Sequence, residues 1–74
     1  MNTNEIATAA KANGYQITDE TSHGVTFTAN GRGFTFTDGT IYRSFTEDGI
    51  VTLLPGCKKV STVNAAMIFV AIRI

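Results

Sequence analysis

The sequence predicts an α+β fold: a four- to five-stranded antiparallel β-meander with an N-terminal helix and a C-terminal helix packed on one face. Three observations carry this. An alanine-rich stretch runs from Asn2 to Gly14, apolar and polar residues alternate from Tyr15 to Phe45, and the dipeptides Asn30-Gly31 and Asp38-Gly39 cut that alternation into strands. A chain of 74 residues makes one domain, residues 1–74. It is near the lower size at which a single core outweighs chain entropy without disulfides, metal or a partner.

The first helix is expected at about residues 3 to 13. Asn2 stands three residues before Glu5, the spacing of a capping box, and Gly14 can close the helix in the left-handed conformation. Ile6 is its only large apolar residue, among Ala7, Ala9, Ala10 and Ala12. Such a helix can lie close to a sheet but buries little area of its own.

Period-two alternation follows in Tyr15–Thr18, Val25–Ala29, Gly33–Thr37 and Thr40–Phe45. Asn-Gly and Asp-Gly supply the positive φ that a type I′ turn needs at both central residues, so two-residue loops set the register. Phe27 then faces Phe34, Val25 faces Phe36, Phe36 faces Ile41, and Phe34 faces Arg43. Arg32 faces both Ala29 and Phe45. Paired residues share a face. One face carries Val25, Phe27, Phe34, Phe36, Ile41 and Phe45, and the other carries Thr26, Thr28, Thr35, Thr37, Thr40, Tyr42 and Ser44.

At Glu47-Asp48-Gly49 a two-residue loop would set Phe45 opposite Thr52 and turn Val51 away from the apolar face. A three-residue loop with Gly49 left-handed keeps Phe45 opposite Val51 and Arg43 opposite Leu53, and is the expectation here. The fifth strand is then about Ile50 to Leu54, closed by Pro55-Gly56. The C-terminal segment reads as a helix capped by Ser61, with Val63, Ala66, Met67, Val70 and Ile74 on one stripe. Ile68, Phe69 and Ile72 fall outside that stripe. A strand over Met67–Ile74 competes, because Ile68, Val70, Ile72 and Ile74 are β-branched at period two.

Six Lys and Arg balance six Asp and Glu, so the basic excess of a phosphate-backbone binder is missing and nucleic acid is disfavoured as a partner. One cysteine and one histidine give neither a disulfide nor a zinc spacing, which suits a reducing cytoplasm. The N-terminus lacks the basic and apolar segments of a signal peptide, and the apolar run Ala65–Ile72 is too short to span a bilayer. A cytoplasmic protein without a membrane partner is expected.

No cofactor, metal or catalytic constellation is expected. His23 reads as a solvated loop histidine, since neighbours in sequence do not make a triad. Cys57, before Lys58 and Lys59, reads as a small buried or half-buried loop residue. Gly31-Arg32-Gly33 is hairpin chemistry and opens no helix. Arg32 and Arg43 are diagonal neighbours at one end of the apolar face. They are expected to snorkel over the core's edge or cap the first helix, with an anion or partner site as the alternative.

The layout of a short polar helix, a Gly14-Tyr15 step into a small antiparallel meander and a closing helix resembles small phage-encoded inhibitors of host defence, such as anti-CRISPR proteins. The resemblance covers the size, neutrality and arrangement of the whole chain. It implies a non-catalytic protein that sterically blocks a host complex in the host cytoplasm. Contact would rest on Tyr42, Thr35, Thr37, Arg32 and Arg43, or on Ile68, Phe69 and Ile72. Two alternatives stand beside it: a homo-oligomeric structural or accessory module, for instance a homodimer paired through Ile68, Phe69 and Ile72 across a twofold axis, and a single-stranded nucleic-acid binder using Tyr42.

Overall fold

A computed structural model describes all 74 residues. Helix α1 (Thr3–Ala12) is followed by strands β1 (Gln16–Glu20), β2 (Gly24–Ala29), β3 (Arg32–Thr37), β4 (Thr40–Glu47), β5 (Ile50–Leu53) and β6 (Lys58–Lys59), then helix α2 (Val63–Arg73). Strands β1 to β5 form an antiparallel meander in chain order, and the two-residue β6 pairs back onto β4. Both helices cover the aromatic face, where Ile6, Ala7 and Ala10 of α1 and Ala66, Phe69 and Val70 of α2 share one core with the sheet.

Helix α1 begins on the capping box. Asn2 accepts from the Glu5 backbone N–H (2.9 Å), and the Glu5 carboxylate accepts from the Asn2 N–H (3.1 Å). The two hairpin dipeptides set the sheet as the sequence predicts. Asn30 (φ 52) with Gly31 (φ 78), and Asp38 (φ 51) with Gly39 (φ 72), make type I′ turns. Phe27 lies opposite Phe34, Val25 opposite Phe36, Phe36 opposite Ile41 and Phe34 opposite Arg43.

The third hairpin departs from expectation. Asp48 (φ 53) and Gly49 (φ 77) also form a two-residue loop, so Phe45 pairs with Thr52 and Ser44 with Leu53. The three-residue loop was expected on the premise that Val51 must reach the aromatic core. The two-residue loop instead pairs Val51 with Thr46 and Leu53 with Ser44, which sets both on the threonine face. Gly33, opposite Ser44 in the ladder, lies so close to the Ser44 carbonyl that no Cβ is tolerated there. Val51 and Leu53 line one cleft with Thr26, Thr35 and Thr37. Phe45 correspondingly leaves the core and is 45% exposed.

Beyond Leu53 the chain detours through Leu54–Cys57 and rejoins β4 as β6, with Lys58 opposite Ile41 and Lys59 opposite Thr40. Strands β5 and β6 are thus one edge strand broken by Pro55 and by Gly56, whose φ is 91°. The Val60 N–H then donates to the Gly39 carbonyl (2.9 Å), which starts α2 beside the β3–β4 turn. Thr62, rather than Ser61, is the N-cap, accepting from the Ala65 N–H at 3.1 Å. The segment is helical up to Arg73, and the competing strand over Met67–Ile74 does not form.

The two helices run in the same direction. Thr3 Oγ1 at the start of α1 donates to the Thr21 carbonyl (3.1 Å), and Tyr15 just past its end stacks on Phe27. Helix α2 likewise begins at Gly39 and brings Phe69 edge-on against Phe34, ring centroids 6.3 Å apart. Both C-termini therefore lie at the Asn30-Gly31 end of the sheet.

Candidate functional site

Three groups of side chains were expected to bear contact, and the fold treats them differently. Thr35 belongs to the interior. Its hydroxyl lies 2.9 Å from Thr26 Oγ1 and donates to Ser44 Oγ at 2.9 Å, forming a buried ladder across β2, β3 and β4. Thr37 is half-buried and donates to the His23 carbonyl (2.9 Å), which pins the β1–β2 loop. Tyr42, opposite Thr35, is half-buried as well. The threonine face is thus partly closed: Thr26, Thr35 and Ser44 are buried, while Thr37 and Tyr42 are half-buried and Val51 and Leu53 flank a cleft over it.

Arg32 and Arg43 are exposed. A further cation lies on α2. The Arg73 guanidinium lies 3.5 Å from the Phe69 ring centroid and its Nη1 donates to the Phe69 carbonyl (3.0 Å). Phe69 packs on Phe34, and Phe34 is paired with Arg43. Arg73 and Arg43 thus each neighbour one ring of the Phe69–Phe34 pair, at the end of the molecule where both helices present their carbonyl termini. The cap of α1 itself is made by Asn13, whose side-chain amide donates to the Ala9 carbonyl at 2.8 Å. Neither Arg32 nor Arg43 makes a side-chain hydrogen bond to that terminus.

In α2 the expected division is partly overturned. Phe69 is only 2% exposed and belongs to the core, whereas Ile74, placed on the inner stripe, is exposed. The reason is the aromatic row Tyr15–Phe27–Phe34, with neighbouring centroids 5.9 Å apart, which ends in a site for one more ring. Ile68 and Ile72 face outward as expected, 50% and 74% exposed. Sequence reasoning missed Phe45, Ile50 and Leu53, also exposed. A two-residue reading of Asp48-Gly49 was the signal that could have found them.

The remaining candidates for chemistry are turn residues. His23 is exposed, its backbone N–H held by Thr21 Oγ1 (3.1 Å), and that hydroxyl is itself given to the Gly24 carbonyl (3.3 Å). Cys57 is exposed, not buried, because the break between β5 and β6 carries it off the sheet. His, Cys, Asp and Glu side chains do not converge in a group of three that could hold a metal ion. No helix is long and apolar enough to cross a membrane. No family model, no curated protein and no solved structure matches the chain.

Proposed function

We propose that this chain is a small non-catalytic protein-binding module whose contact surface is the outer side of α2. One observation carries the reading. Of the eleven residues Val63–Arg73 only Asn64 and Arg73 are polar, yet α2 is a surface helix with Ile68 and Ile72 turned out. A helix apolar all round is a buried helix, and contiguous exposed apolar groups mark contact sites. The chain supplies cover for one side only.

Arg73 stands at the C-terminal end of this helix, so the partner surface that complements it is an apolar groove with a carboxylate at that end. The layout's resemblance to phage-encoded inhibitors of host defence supplies a class of partner: a host defence complex blocked sterically, in the manner of anti-CRISPR proteins. The test is capture of a complex from the native host followed by reconstitution from purified components. Wild-type protein and a Thr8→Asp control should bind it, and Ile68→Asp with Ile72→Asp should not. Binding unchanged by the double substitution removes α2 as the surface, and failure to protect a phage against any defence system removes the inhibitor reading.

A further inference from the structure

The two edges of the sheet are built differently. Along β1 the pairing with β2 is irregular between Ile17 and Asp19, Thr18 Oγ1 turns in to the Thr26 carbonyl (3.2 Å), and Asp19 and Glu20 carry charge. A bulge with charges is how an edge is protected from pairing. On the other edge Pro55-Gly56 and the lysines of β6 protect only the far part; strand β5 itself reads Ile50-Val51-Thr52-Leu53, with neither charge nor bulge, and β4 is its only neighbour. Ile50 and Leu53 are 68% and 42% exposed.

The direction of the β5 backbone groups follows from the hairpin. In a two-residue hairpin the residues flanking the loop, Glu47 and Ile50, form the hydrogen-bonded pair, and the pattern alternates from there. The Leu54 N–H, which donates to the Arg43 carbonyl at 2.8 Å, confirms the parity. Even-numbered residues of this segment point at β4. The N–H and C=O groups of Val51 and Leu53 point away from the sheet.

We propose that β5 pairs antiparallel with β5 of a second copy of this chain, about a twofold axis at Thr52. A twofold perpendicular to a sheet sets a residue opposite itself and keeps each face continuous. With Thr52 on the axis, Val51 of one copy meets Leu53 of the other, so all four outward N–H groups find carbonyls. Ile50 meets Leu54 on the opposite face. The segment is symmetric in character about Thr52, with two apolar residues on either side, and this selects a second copy over an unrelated strand. Pairing here is independent of α2, and goes beyond the helix surface proposed above.

Thr52 on the axis is a non-hydrogen-bonded pair with Cα atoms about 4.5 Å apart, within disulfide reach. Two copies of Ile50 would be displaced along the strands by about 13 Å, out of reach. In a Cys57→Ser background, Thr52→Cys is expected to form a covalent dimer on mild oxidation while Ile50→Cys stays monomeric. Without oxidation, sedimentation at about 100 μM, suited to a small interface, should show wild-type dimer and Thr52→Glu monomer, both with unchanged circular dichroism. The proposal is overturned if wild type stays monomeric, if Ile50→Cys cross-links as fast as Thr52→Cys, or if a dimer survives Thr52→Glu but is lost with Ile72→Asp.

Discussion

Helices α1 and α2 cover the same face of the same sheet, run the same way and are nearly equal in length, yet they attach by opposite means. Helix α1 approaches the backbones of β1, β2 and β3 closely, and can do so because Ala7 and Ala10 are small. Helix α2 makes its close backbone approach chiefly to α1 and reaches the sheet through Phe69. One helix is held by proximity and a capping box. The other stands off on a large ring and keeps apolar surface to spare. A small domain can thus spend alanine on economy of packing in one element and retain isoleucines for contact in another.

The comparison breaks most readily at Phe69. Phe69→Ala should cost about 3–5 kcal/mol in urea unfolding, since it empties the space against Phe34 and strands Arg73. Helix α1 should fail in the opposite sense. Ala10→Leu adds volume where none is free and is expected to cost about 1–3 kcal/mol by the same measurement, whereas a leucine at Ala71, on the exposed side of α2, should change little. The caps come next. Asn2→Ala should cost about 1 kcal/mol and Thr62→Ala a similar amount, with α1 losing the side-chain half of its capping box in the first case and keeping the bond from the residue 2 N–H to Glu5. Smallest is Ile72→Asp, whose effect on stability should lie within about 0.5 kcal/mol. A large loss there would mean that the outer side of α2 is structural, and the contrast between the helices would collapse.

Much of this fold was legible in the sequence wherever a local rule met a strong residue preference. Asn30-Gly31 and Asp38-Gly39 fixed three strands, and Asn2 with Glu5 placed α1. Some of what escaped was decided by distant parts of the chain. Phe69 could not be assigned to the core from α2 alone, because a helix apolar on every side shows no stripe; its neighbour Phe34 settles the matter. Val51 moved to the threonine face and Phe45 lost it as a partner because Asp48-Gly49 closes as a two-residue loop, a one-residue shift in register. The contact candidates fared likewise. Ile68 and Ile72 were readable from helical spacing, while Thr35 looked like surface until its hydroxyl was seen bonded between Thr26 and Ser44.

The hydroxyl ladder has a direction. Thr35 gives its single proton to Ser44, so the proton shared between Thr26 and Thr35 must come from Thr26. The three side chains form a one-way relay, each polarising the next, and its order makes two isosteric substitutions unequal. Valine at Thr26 removes the first donor and leaves Thr35 still donating. Valine at Thr35 leaves the Thr26 proton with no acceptor and Ser44 with no donor in a buried seam, and an unmatched buried hydroxyl costs about 1–3 kcal/mol. The face that looks uniform in sequence, threonine after threonine, is therefore polarised from β2 toward β4, and its middle residue is the one that cannot be exchanged.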